Sequence, residues 1–116
     1  MNACLVLSTA PNRSTARQIA KKILKEKLAA CVHLAPVGES HYWWKGRLEK
    51  AREVAMTFKT SKNALPFLMR TLKQIHPYET PEILAVRVDA GDPDYLKWIS
   101  GETKKPNAKF AAKKSR

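Results

Sequence analysis

Apolar runs and helical stripes divide this chain into seven predicted elements. Strand-like segments are apolar or alternating runs bounded by Pro, Gly or Asn, whereas helix-like segments repeat apolar side chains every three or four residues. The strands are predicted over 3–9, 32–44, 47–60 and 83–88, and the helices between 12 and 28, between 63 and 76, and over 93–100. This order predicts an α+β fold of the ferredoxin-like βαββαβ type, followed by a short C-terminal helix.

Capping residues, prolines and a glycine at the element boundaries predict where the helices begin and end. Ser61 and Asn63 can both cap the second helix. Pro66 favours Asn63, because proline is tolerated in the first turn of a helix but not deeper. The other ends are predicted from an N-cap at Asn12, an N-cap at Asp92 followed by proline, and a stop at Gly101.

The second and third strands form a predicted β-hairpin around the two-residue turn Lys45-Gly46. Each arm runs for about 13 residues, or roughly 43 Å, whereas strands usually stop at about 5–6 residues. Pro36 and Gly38 interrupt the first arm and predict a bulge there.

The hairpin is longer than the domain that must cover it, since a globule of this length is only about 35 Å across. Its far end carries Tyr42, Trp43 and Trp44, and such a ribbon has open edges and little stability alone. Two helices can cover only one face of the sheet, so the other face also needs a partner. We therefore expect other copies of this chain to cover the hairpin.

Composition and charge predict one soluble domain, 1–102, with a basic tail, 103–116. Apolar residues make up 44% and charged residues 28%, which is ordinary for a globular protein. The tail contributes half of the net charge of +12 and offers little to bury, so we expect it to be disordered. A solubilising role is favoured over nucleic-acid binding, which would be limited to non-specific contact by the tail.

The N-terminal sequence lacks the pattern of a signal peptide, and no apolar run is long enough to span a membrane. We therefore expect a cytoplasmic protein without membrane contact. The two cysteines, Cys4 and Cys31, lie in apolar runs and are expected to be buried free thiols.

The segment 76–82 gathers polar side chains between two prolines, which is typical of a site rather than of a solvent loop. Divalent-metal binding by His76 with Glu79 or Glu82 is one interpretation, since imidazole and carboxylate suit Cu(II), Zn or Ni. Binding of an anion or small molecule, with Lys59 supplying charge, is another. In a third interpretation the segment is structural, with the histidine at the helix end and the glutamates in ion pairs.

Sequence motifs of common enzymes are missing. The four glycines are isolated, so there is neither a phosphate-binding loop nor a nucleophile elbow. Glu49 and Glu53 can share a strand face, but neighbouring basic residues would neutralise such a pair. Cys31 and His33 also share a face, but two ligands are too few for a soft-metal site. The third strand lacks the aromatic pattern of an RNA-binding domain of this topology.

Five segments closely resemble the CutA family of divalent-cation tolerance proteins, and the match covers 3–100 in order. The segments are Lys-Leu-Ala-Ala-Cys-Val at 27–32, Tyr-Trp-Trp-Lys-Gly-Arg-Leu-Glu at 42–49, Phe-Lys-Thr at 58–60, His-Pro-Tyr-Glu-Thr-Pro-Glu at 76–82, and Tyr-Leu-Lys-Trp-Ile at 95–99.

The resemblance implies a compact homotrimer similar to the PII signalling proteins, a link to copper, and no established catalytic reaction. It also implies a cleft between subunits. The cleft residues would be Lys59, His76, Tyr78 and Glu82, with Trp44 and Glu49 near the hairpin. Ser8 and Ile75 stand where some members have Cys and His, so a weaker site built on His76 and Glu82 is implied.

We therefore expect a non-enzymatic, trimeric protein that weakly binds Cu(II) or another divalent cation through His76, Glu79 and Glu82. Tyr42, Trp43 and Trp44 would lie in the trimer interface. The alternative is a PII-like signalling or scaffold trimer that senses a small anionic ligand at the inter-subunit cleft.

Overall fold

The fold is an antiparallel four-stranded sheet with helices, as the sequence predicts. A computed structural model describes residues 2–103. The elements are β1 (Ala3–Ala10), α1 (Arg13–Lys25), β2 (Cys31–Trp44), β3 (Arg47–Ser61), α2 (Leu65–Ile75), β4 (Leu84–Arg87) and α3 (Pro93–Glu102). The strand order β2-β3-β1-β4, with every neighbouring pair antiparallel, is the ferredoxin-like arrangement. Residues 104–116, most of the tail predicted to be disordered, lie outside the described residues.

The hydrophobic core lies between one face of the sheet and the helices α1 and α2. Alternate residues of β1 and β3 are buried, and they meet the apolar stripes of both helices. Full burial of each large apolar side chain contributes about 1.5–3 kcal/mol. The core includes Val6, Val54, Met56 and Phe58 from the sheet, with Ile19, Ile23, Leu68 and Leu72 from the helices.

The predicted N-caps of the first and third helices are confirmed. Asn12 Oδ1 accepts a hydrogen bond of 2.8 Å from the Thr15 N–H, and Asp92 Oδ2 accepts one of 3.0 Å from the Tyr95 N–H. Each bond satisfies one of the four free N–H groups at a helix start.

The predictions of an Asn63 cap and of a stop at Gly101 are wrong. The second helix has Ala64 at its N-cap position, and Ser61 Oγ accepts the Ala64 N–H at 3.3 Å. The third helix continues through Gly101, and the buried Thr103 hydroxyl lies 2.8 Å from Ser61 Oγ. Ser61 thus serves two helix ends at once, a tertiary contact that local sequence does not reveal.

The central hairpin has the predicted turn, bulge and length. Lys45 and Gly46 have φ of 51° and 78°, the pair of positive angles of a type I′ turn. The register shifts between Leu34 and Val37, which places the bulge at the predicted proline. Beyond the end of β1, 38–44 pairs with 47–53 alone, and we call this two-stranded part the hairpin overhang.

The sheet face opposite α1 and α2 is largely open. The fourth strand, predicted as buried over 83–88, spans only Leu84–Arg87, and the side chains of Leu84 and Val86 are 56% and 44% exposed. The prediction of a buried strand is therefore wrong for one chain, because β4 lies at the edge of the sheet beside β1 and all four of its residues are exposed. Cys4 is a buried free thiol, whereas Cys31 is half-buried. None of the helices within residues 2–103 has the length and apolar character needed to cross a membrane.

Candidate functional site

The main candidate site is a cavity of about 690 Å³ between the hairpin overhang and the segment 76–82. It lies on the open face of the sheet, where Tyr42 and Trp44 follow one another on alternate positions of β2. This volume is in the range of small-molecule sites in proteins. The lining residues are Thr9, Ser40, Tyr42, Trp44, Ala51, Glu53, Pro77, Tyr78, Glu79, Thr80 and Glu82.

His76 fixes the segment 76–82 to the sheet. It ends α2, its side chain is only 7% exposed, and its Nε2 donates a 2.6 Å hydrogen bond to the carbonyl oxygen of Thr9. Its Nδ1 accepts the Tyr78 N–H at 3.1 Å. A carbonyl can only accept and an amide N–H can only donate, so the proton lies on Nε2. A metal ion at His76 would therefore have to displace the Tyr78 N–H from Nδ1.

Tyr78 and Glu53 join the segment 76–82 to the overhang. The Tyr78 hydroxyl donates a 2.7 Å hydrogen bond to Glu53 Oε2, and the Thr9 hydroxyl donates one of 3.3 Å to the same oxygen. The Tyr78 ring also lies 4.9 Å from the His76 ring, centroid to centroid. Partial burial, together with the bonded Glu53 carboxylate, raises the pKa of Tyr78 well above its ordinary value, so its phenol stays protonated and donates.

Among residues 2–103, the charged side chains that line the cavity are all acidic, although the chain carries a net charge of +12. They are Glu53, Glu79 and Glu82, and neither a Lys nor an Arg of this described part is among the lining residues. Within residues 2–103, no three His, Cys, Asp or Glu side chains converge in a way that could hold a metal ion. One chain therefore presents an acidic cavity but an incomplete set of metal ligands.

The structure brings together several residues that the sequence singles out. The cavity is lined by Trp44, Tyr78, Glu79 and Glu82. His76 does not line it but holds the segment 76–82 in place through its hydrogen bond to Thr9. Tyr42, predicted for the interface, also lines the cavity, being 41% exposed.

Three other predicted residues lie elsewhere. Lys59 donates a 3.0 Å hydrogen bond to the Tyr95 hydroxyl, which raises the pKa of Lys59, and it does not line the cavity. Glu49 faces Tyr42 across the hairpin but is not among the lining residues. Trp43 lies on the opposite side of the overhang, paired with Leu48, and is 72% exposed.

Sequence reasoning did not select Glu53 and Thr9 as site residues. Glu53 is four residues from Glu49 on a strand and shares its face, so alternation alone could have placed it beside the aromatic residues of β2. Thr9 could not be found in this way, because its role depends on the packing of α2 against the end of β1.

Comparison with known proteins supports the resemblance over nearly the whole described chain. The model of the family described as CutA1 divalent ion tolerance protein matches residues 4–102. The divalent-cation tolerance protein CutA of Yersinia pestis (strain Pestoides F) is 46% identical over 99 residues, which cover 85% of this chain and 83% of that protein.

Solved structures of similar proteins have the same fold. CutA from Xylella fastidiosa is 36% identical with a TM-score of 0.86, covering 90% of this chain and 100% of its own. The periplasmic divalent cation tolerance protein CutA from Archaeoglobus fulgidus is 35% identical with a TM-score of 0.84, covering 88% and 99%. On these grounds, this chain belongs to the CutA1 family of divalent ion tolerance proteins.

Proposed function

We propose that this protein binds a divalent cation, with Cu(II) as the leading candidate, in the cavity beside the hairpin overhang, and that it does so as a non-enzymatic homotrimer. The observation that carries the proposal is the charge of the cavity. Of the described residues, the three charged side chains that line it are all glutamates, in a chain with more than twice as many basic as acidic residues.

The proposed cation ligands are Glu79 and Glu82. Within residues 2–103, neither carboxylate accepts a hydrogen bond or takes part in an ion pair, so both are available. His76 is the third predicted ligand, but its Nδ1 is occupied by the Tyr78 N–H. Binding through His76 would cost that hydrogen bond, worth about 1 kcal/mol net. A weak site is the expected result.

A neighbouring subunit would supply what one chain lacks. Tyr42, Trp43 and Trp44 are 41%, 72% and 43% exposed on the overhang, and Leu84 and Val86 are exposed on the open face of the sheet. Apolar surface of this kind is typical of an interface between subunits. A second copy seated there would enclose the cavity and could add the ligands that complete a coordination shell.

The test of the cation site is calorimetric titration of the full chain with Cu(II) in a buffer that does not bind metal. The double variant Glu79→Gln, Glu82→Gln keeps the shape of both side chains and removes both charges, so we expect at least tenfold weaker binding. Glu39→Gln is the matched control, since Glu39 lies on the other side of the overhang and contacts His41. Equal Cu(II) binding by wild type and the double variant would rule out this site.

The alternative function, sensing of a small anion, has less support. It needs Lys59 in the cleft, but this side chain contacts Tyr95 and does not line the cavity. The proposal also includes a cytoplasmic location. It is supported by the two free cysteines, which are typical of a reducing compartment. Fractionation of the producing cells with an antibody to the full chain would test it.

A further inference from the structure

The cavity walls differ from those of a simple metal site, because aromatic rings form much of them. Tyr42, Trp44 and Tyr78 line the same space as the glutamates. Aromatic faces attract weakly hydrated organic cations, whereas a small divalent ion binds oxygen or nitrogen ligands instead. The lining therefore favours a second class of positively charged ligand.

In one chain, the volume also favours an organic ligand. One bound water needs about 10–15 Å³ of such a cavity, which measures about 690 Å³. Even with several water molecules, a metal ion would leave most of this space and all three aromatic rings unused.

The carboxylate of Glu53 is oriented by two hydrogen bonds that leave one of its oxygens available for a cation. Both of its hydrogen bonds, from the hydroxyls of Tyr78 and Thr9, fall on Oε2. Within residues 2–103, Oε1 accepts no hydrogen bond, and Glu53 forms no ion pair. Its negative charge is thus positioned, but not neutralised, by the part of the chain that the structure describes.

An ammonium group of the chain itself already lies against one of these rings. Lys45 Nζ is 5.7 Å from the centroid of the Trp44 ring, within the distance of a cation–π interaction. Lys45 belongs to the hairpin turn and does not line the cavity. The face of the Trp44 ring is therefore accessible to a positive charge.

We infer that the cavity binds a small organic ammonium ion, with the rings of Tyr42, Trp44 and Tyr78 around its alkyl groups and the Glu53 carboxylate as its counter-ion. This inference goes beyond the proposed function, because it assigns a second class of ligand to the cavity. The two proposals also depend on different carboxylates, because the metal ion would be bound by Glu79 and Glu82 and the ammonium ion would be paired with Glu53.

The test uses choline chloride as the probe and its neutral isostere, 3,3-dimethyl-1-butanol, as the ligand control. Both are titrated into the full chain by calorimetry at constant ionic strength, up to tens of millimolar. We expect saturable binding of choline and at least fivefold weaker binding of the alcohol, since only choline carries the charge.

Two variants test the named contacts, each with a matched control. Trp44→Leu should weaken choline binding about three- to tenfold, whereas Trp98→Leu, on α3 and outside the lining of the cavity, should leave it unchanged. Glu53→Gln should weaken it about tenfold or more, whereas Glu39→Gln should not. Thermal melts of all four variants identify any that fail to fold, and Tyr42→Leu then replaces Trp44→Leu.

The possible outcomes separate this inference from the proposed function. If choline does not bind, or if the alcohol binds equally well, or if Trp98→Leu weakens binding as much as Trp44→Leu, the inference is wrong. Cu(II) binding that depends on Glu79 and Glu82 would still support the metal proposal in that case. Choline binding without Cu(II) binding would support the organic ammonium ligand and rule out the metal ion.

Discussion

Substitution of His76 should destabilise the protein far more than substitution of an exposed histidine. His76→Ala removes the 2.6 Å bond to Thr9 O and the 3.1 Å bond from the Tyr78 N–H. Each contributes about 1 kcal/mol net, and the contact between the His76 and Tyr78 rings adds about 0.5–1.5 kcal/mol. The expected loss is therefore about 3 kcal/mol of the free energy of unfolding.

The assay is urea unfolding followed by far-ultraviolet circular dichroism, at one fixed protein concentration because self-association would add to the apparent stability. His76→Gln keeps an N–H near the position of Nε2, and His76→Asn keeps an acceptor near Nδ1. Each should therefore lower the free energy of unfolding by less than His76→Ala does. The matched control is His33→Ala, at an exposed position of β2, with an expected change within about 0.5 kcal/mol. A His76→Ala variant as stable as the His33→Ala control would refute the role assigned to His76.

The hairpin turn and the half-buried phenol give two more predictions. Lys45→Asn should raise the melting temperature, since Asn tolerates the positive φ of 51°, whereas Gly46→Ala, at φ 78°, should lower it by a few degrees. Both effects are measured by differential scanning calorimetry, and a Gly46→Ala variant as stable as wild type would contradict the assigned turn. For Tyr78, folding raises the pKa, so stability is fully present below the unfolded pKa of about 10 and is lost as pH rises towards the folded pKa. The stability advantage of wild type over Tyr78→Phe should thus shrink above about pH 10 in urea titrations, and a constant difference from pH 8 to 11 would argue against this linkage.

The hairpin and the core were predictable because local rules and tertiary packing agree there. The glycine turn needs positive φ, and the alternation along β3 places Val54, Met56 and Phe58 on one face, which in the structure is the buried helix side. The same alternation places Tyr42 and Trp44 together on the opposite face. Strand length and side-chain period fix which of these residues share a face, whereas the packing of the helices decides which face is buried.

The sequence-based predictions are wrong where one residue contacts two elements of secondary structure. Asn63 is a good cap by local rules, but Ser61 already lies at the end of β3 and accepts from the Ala64 N–H while it contacts Thr103. Lys59 is similar, because its contact with Tyr95 joins residues 36 positions apart in sequence. Such contacts depend on how α3 folds back onto the sheet, which the periodicity of either segment does not encode.

The cavity itself was only partly predictable. The polar residues of 76–82 could be singled out, and Trp44 was expected near them, but the role of His76 depends on its distance from Thr9 O. In the structure this histidine ties the loop to the sheet, which favours the structural interpretation of its side chain. Among the described residues, the carboxylates of Glu79 and Glu82 have neither a hydrogen-bond nor an ion-pair partner, which is why the proposal assigns the cation to them.

Native mass spectrometry of the full chain, with and without Cu(II), is the decisive experiment for a trimer that binds copper, because one spectrum reports both the assembly and its bound ions. We expect a complex of three 13.1 kDa chains that gains copper, and a Glu79→Gln, Glu82→Gln complex of the same assembly that does not. A monomer, or equal copper uptake by wild type and the double variant, would show that the proposed function is wrong.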